Sequence, residues 1–151
     1  MYTFECNHTE GDRVSLSTFG DAVLIVITEH GRDDGYPDSA EATFTPAEAR
    51  ELALHAAESA SSERPVAGWI GDAYWLSDTE SDALLSIPVT GRASRGVRVA
   101  SEDLLGLAVA LVRLSEAADS YAPASKTLTP AAIAFAALLG ILLGRVSCSY
   151  A

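Results

Sequence analysis

The sequence predicts an α+β fold: a tandem duplication of a small antiparallel β-meander plus helix unit, followed by an apolar C-terminal helix. Three observations lead there. Two stretches share one order of signals, each is followed by an amphipathic helix pattern, and a run of 18 uncharged residues (127–144) stands apart near the end.

The duplication rests on "LSTFGDAVLIVITEHGR" (16–32) and "LSDTESDALLSIPVTGR" (76–92). Leu-Ser opens both, Asp-Ala precedes an apolar run in both, and Gly-Arg closes both, so Asp21-Ala22 pairs with Asp82-Ala83 and Gly31-Arg32 with Gly91-Arg92. A polar loop, a short strand and a helix follow each Gly-Arg, and the first loop is about five residues longer. Residues 22–29 are rich in β-branched side chains, as a buried strand requires. Thr45, Pro46 and Glu48 start the first helix: the Thr45 hydroxyl accepts from an orphan N–H, Pro46 sits where no donor is needed, and Glu48 reaches back. Ala49, Leu52, Ala53 and Ala56 form its apolar stripe. In the second helix Ser101 is expected to cap, Glu102 and Asp103 suit the positive end of the dipole, and Leu104, Ala108 and Leu111 make the stripe.

Neither unit is large enough to bury a core alone, so the pair is expected to share one. The expected organisation is a first unit over 1–62, a second over 63–119, a linker over 120–126, the apolar helix over 127–145 and a tail over 146–151. Residues 14–59 and 74–118 should superpose as strand–strand–strand–helix. In outline, strands followed by a helix resemble the single-stranded-DNA-binding coactivator and whirly folds; the likeness is carried by no diagnostic motif and assigns no function.

Composition narrows the partners. The chain has 151 residues and 48% apolar content, enough for one ordinary domain, and a formal net charge of −11. All 21 carboxylates fall within residues 1–125 against eight arginines, giving −13 there, which repels nucleic-acid phosphates unless positive charge is concentrated locally. Arginine outnumbers lysine nine to one, the composition of a high-GC genome such as an actinobacterium or its phage. The start, "MYTFECNHTEGD", has neither a basic nor an apolar segment of a signal peptide, so a cytoplasmic domain and no secretion are expected. Cys6 and Cys148 make no disulfide framework.

No catalytic, metal or cofactor motif emerges. His8, near Cys6, Glu10 and Asp12, has the chemistry of a metal ligand but the setting of a polar turn. His30 ends a strand, and His55 is expected on the solvated face of a helix beside Glu51 and Glu58. The acidic stretch "GRDDGYPDSAE" (31–41) lacks EF-hand spacing and reads as a loop. Arg92, Arg95 and Arg98 form the exception to the acidic surface, as contacts for an anionic partner or as partners of nearby carboxylates. Trp69, Tyr74 and Trp75 are either interface aromatics or core filling for a small sheet.

The uncharged run "TLTPAAIAFAALLGILLG" extends about 27 Å as a helix, just short of the usual thickness of a bilayer core. Ala132, Ala136, Gly140 and Gly144 fall four apart on one face, where backbones can approach closely. Two environments satisfy such a helix: lipid, as a transmembrane anchor, or protein, as a buried interface helix. The first makes the chain a non-enzymatic acidic protein-interaction module, tail-anchored and dimerising. The second makes it a soluble homo-oligomeric structural or interaction protein. A third reading, a single-stranded nucleic-acid binder, uses the arginines and aromatics. A protein partner and a homo-oligomer are expected, and a cofactor is not.

Overall fold

Period-2 burial along short strands, interrupted twice by a period-3.6 pattern, yields eight strands and two helices in the computed structural model. It describes residues 1–6, 8–31, 38–62, 64–77, 82–90 and 94–121. Arg92, the helix expected over 127–145 with Ala132, Ala136, Gly140 and Gly144, and the tail 146–151 lie outside the described residues. No helix among the described residues is long and apolar enough to cross a membrane.

The first repeat comprises β1 (Tyr2–Glu5), β2 (Arg13–Phe19), β3 (Ala22–Thr28), β4 (Ser39–Phe44) and α1 (Pro46–Ser61). The second comprises β5 (Val66–Ile70), β6 (Ala73–Ser77), β7 (Ala83–Pro88), β8 (Ser94–Val99), a 3₁₀ turn (Ser101–Asp103) and α2 (Leu104–Asp119). Each set of four strands is an antiparallel meander, β1-β2-β3-β4 and β5-β6-β7-β8. The α+β fold with a repeated unit is therefore present, with one strand more per repeat than the sequence suggested. β1 and β5 are edge strands of four and five residues, too short to carry a period of their own.

The strand faces also correct the residue pairing between repeats. Val23 lies opposite Phe44, and Ala83 lies opposite Val99, each at the inward position just before its helix. Val23, not Ala22, is thus the counterpart of Ala83. Leu16 is buried whereas Leu76 faces outward, so that pairing fails as well. Matching letters had slipped by one residue, which in a strand exchanges the faces. The loop lengths cause the slip: β2 and β3 are joined by Gly20-Asp21 alone, with Gly20 at φ 62°, and β6 and β7 by residues 78–82. The longer β3–β4 connection, residues 29–38 against 89–93, is as expected.

Local signals at α1 hold to the atom. Glu48 N donates to Thr45 Oγ1 at 3.3 Å, Thr45 N donates to the Glu48 carboxylate at 2.8 Å, and Ala49, Leu52, Ala53 and Ala56 are buried. At α2 the expectation for Ser101 needs correction. Ser101 opens the 3₁₀ turn and its side chain caps nothing; Asp103 N donates to Ala100 O at 2.9 Å, so backbone replaces the side-chain cap.

The helices exchange places. α2 lies across β2 and β3 of the first sheet, while α1 runs along β5 and β6 of the second as well as β3 and β4 of its own. α1 and α2 pack side by side, antiparallel, with Arg50 in the second turn of α1 donating to Asp119 at 2.6 Å and to Ser115 at 3.5 Å near the end of α2. Residues 1–121 therefore form one compact unit with a shared core.

Polar groups stitch the exchange. Trp75 Nε1 donates to Ser59 Oγ at 3.0 Å, and Ser59 Oγ lies 2.8 Å from Ser77 Oγ, fixing α1 to β6. Between the sheets, Glu29 accepts from Gly96 N at 2.6 Å and sits 3.5 Å from the guanidinium of Arg95, whose side chain is fully buried. Removing one partner of a buried pair strands the other charge, whereas an exposed pair contributes little. Arg95→Ala should lower unfolding free energy by about 3–5 kcal/mol in urea titration. Arg50→Ala, which breaks the exposed pair with Asp119, should cost about 1 kcal/mol or less. Equal losses would contradict this assignment.

Candidate functional site

Strand alternation separates the residues singled out in the sequence. Trp75 points inward, is fully buried and is held by Ser59, so it is a core residue and not an interface aromatic. Trp69 and Tyr74, paired across β5 and β6, stand on the outer face with ring centroids 5.2 Å apart. Trp69 is 65% exposed. Of the two alternatives weighed for "GWIGDAYW", core filling holds for Trp75, while Trp69 and Tyr74 lie on the outer face of the sheet.

The arginines divide likewise. Arg95 shares the inward phase of Val97 and Val99 and is buried against Glu29, so it contacts no external anion. The sequence carries that signal, because Arg95 stands two residues before Val97 in a strand. Arg98 is outward and exposed, on the same face as Leu76 and Leu84. Arg98, Trp69 and Tyr74 therefore share one sheet face, whereas Arg95 and Trp75 do not reach it. The outer face of the first sheet instead presents Thr3, Ser15, Ser17, Glu41 and Thr43 around Leu24 and Val26.

Each histidine takes part in a local contact. His8, in the β1–β2 connection, pairs with Asp82 at the start of β7 and so joins the two repeats. His30 N donates at 2.6 Å to Asp12, which is itself buried beneath that connection. Gly11, at φ 91°, is needed there, since a Cβ would lie 2.9 Å from the His30 ring. His55 is half-buried and not on the solvated face. Its Nδ1 lies 3.0 Å from Glu51 O, and its ring abuts Gly68 because α1 covers β5. Among the described residues no three His, Cys, Asp or Glu side chains converge as metal ligands.

One surface was not anticipated. α1 and α2 leave a groove of about 550 Å³ between their outer sides, lined by Arg50, Ala53, Leu54, Ala57, Leu105, Ala108, Val109, Val112 and Arg113. Its floor is alanine. Its walls are Leu54, 69% exposed, Leu105, 58%, Val109, 50%, and Val112, 38%. The signal was in the run "LLGLAVALV" (104–112): a helix apolar over so wide an arc has more to cover than one sheet can take. Leu105, Val109 and Val112 repeat at i, i+4 and i+7, on a different side from the buried Leu104, Leu107 and Leu111. Among the described residues no carboxylate lines the groove, although the chain carries 21.

The aromatic face invites a test with nucleic acid, because Trp69 is its natural reporter. With 21 carboxylates against eight arginines over residues 1–125, phosphate should be repelled. Single-stranded DNA or RNA at physiological salt should leave Trp69 fluorescence unquenched. Steeply salt-dependent micromolar quenching, lost on Trp69→Ala and Arg98→Glu, would refute this.

Comparison with protein-family models, with curated proteins and with solved structures returns no match.

Proposed function

We propose that the chain is a non-enzymatic protein-interaction module, held at a membrane by residues 127–144, whose docking surface is the groove between α1 and α2. The groove carries this reading. Four large aliphatic side chains stay exposed on two adjacent helices, over a floor of small residues that lets a partner backbone come close. Its aliphatic walls on two adjacent helices and its alanine floor suit an α-helix with an apolar stripe, the groove-binding mode of helical recognition. Tethering draws its support from the sequence, in the 18 uncharged residues of 127–144 and their small-residue face. A tether also raises the effective concentration of a module against partners on the same membrane, so a modest docking surface suffices.

The reading is tested with a photo-crosslinking amino acid placed in the full-length chain, in cells. At position 105, on the groove wall, protein adducts should form. At position 43, on the polar face of the first sheet, they should not. Leu54→Asp with Val109→Asp should abolish the adducts at 105. Equal labelling at both positions, or none at either, would refute the docking surface. Full-length protein found wholly in the supernatant after alkaline carbonate would refute the tether.

A further inference from the structure

We propose that the outer face of the second sheet lies on the headgroup layer of the membrane that residues 127–144 enter, with the α1–α2 groove turned away from the bilayer. This rests on the reading of 127–144 as a tether and adds the orientation of the tethered module. The first argument compares the two repeats. Their strand ladders match Thr3 with Trp69, Ser15 with Tyr74, Ser17 with Leu76 and Thr43 with Arg98, all on the outer faces. Four hydroxyl side chains in the first repeat are thus two aromatics, a leucine and an arginine in the second. At a fifth matched position the first repeat has Glu41 and the second has Gly96. Water suits the first face. The second keeps large apolar groups in the open, with Trp69 65% exposed and Leu76 39%.

The second argument is chemistry. Tryptophan and tyrosine each join an apolar ring to a polar tip, the combination that settles at the headgroup level of a bilayer. Trp69 and Tyr74 stand together, and Leu76 and Leu84 are cross-strand neighbours on the same face. Arg98 is exposed opposite Leu84, so an apolar neighbour lies beside its stem while its guanidinium is free to meet a lipid phosphate. Among the described residues, no outward position of β5–β8 holds a carboxylate. Charge also selects the lipid. Eight arginines against 21 carboxylates leave −13 on residues 1–125, which anionic headgroups repel and zwitterionic ones do not.

The third argument is where the chain leaves the fold. Tyr121, after the end of α2, packs near the β2–β3 turn: a Cβ on Gly20 would lie 3.8 Å from its ring. The exit is therefore at a hairpin tip of the sheets and not over the groove. Residues 122–126 then span at most about 17 Å before the uncharged run begins. So short a link keeps that tip close to the bilayer, where a few interfacial side chains suffice. α1 covers the inner face of the second sheet, with Ser59 bonded to Trp75 and His55 against Gly68. The outer face and the groove are consequently on opposite sides, and contact with lipid leaves the groove open to a partner.

The test reconstitutes the full-length chain into phosphatidylcholine vesicles whose acyl chains carry bromine near the headgroup, and floats them. Trp69 is exposed and Trp75 fully buried, so quenching reports the outer face. The bromines should lower Trp69 emission about twofold, and aqueous iodide should have little effect. Trp69→Phe should remove the bromine quenching. Leu76→Asp with Arg98→Glu, both at exposed positions, should open Trp69 to iodide while the circular-dichroism spectrum stays that of the folded chain. Added phosphatidylglycerol should weaken the bromine quenching. Protein that floats with Trp69 open to iodide would overturn the orientation and leave the tether standing. Protein that fails to float would remove the tether and the inference with it. Trp69 shielded from both quenchers would mean that protein covers the face, and would overturn the proposal as well.

Discussion

Everything in residues 1–121 depends on the need of each four-stranded sheet for a cover, and on the fact that the cover comes largely from the other repeat. A single antiparallel sheet with one apolar face is marginal in water until something packs on it. Here β2 and β3 of the first sheet lie under α2, with Val14, Leu16, Val23, Ile25 and Ile27 buried on their inner face, while Trp75 of the second is anchored to α1. Each repeat taken alone would expose apolar surface that the other now covers. Duplication supplied two equal parts, and exchange of their helices made them one cooperative core.

That exchange explains both the buried polar contacts and the exposed apolar ones. Where the sheets approach each other, Arg95 replaces an aliphatic residue on the inner face of β8 and is matched by Glu29, whose carboxylate also accepts from Gly96 N. A pair of this kind contributes little net stability over an aliphatic pair, but it penalises any register in which one charge is stranded. Where the helices meet side by side, each spends one stripe on the sheets and keeps another free. α2 is the more extreme, burying Leu104, Leu107, Leu111 and Leu114 while leaving Leu105, Val109 and Val112 in solvent. The groove is thus a by-product of the packing arrangement.

How much of this could be read from the residues varies with the range of the interaction that decides it. The start of α1 was legible to the atom, because Thr45, Pro46 and Glu48 act within one turn. The repeated order of elements was legible too, but the residue pairing was not. Unequal loops, Gly20-Asp21 against 78–82, shift the strand phase by one, and only ladder register reveals it. Ser101 looked like a cap because residue type was read without the 3₁₀ turn that displaced it. Arg95 and Arg98, or Trp69 and Trp75, cannot be separated by proximity along the chain; alternation separates them at once, provided the strand is recognised. The exchange of helices, and hence the groove and the contact of His55 with β5, depends on tertiary placement that no local pattern encodes.

The central claim is that the two repeats form one folding unit because α2 covers the first sheet and α1 covers strands of both. Native-state hydrogen exchange of the full-length chain, followed amide by amide in increasing denaturant, tests it most directly. Protected amides of β2 and β3 and those of β6 and β7 should converge on a single opening free energy with a single dependence on denaturant. Opening of one sheet and its following helix at a distinctly lower free energy, with the other repeat still protected, would contradict the account.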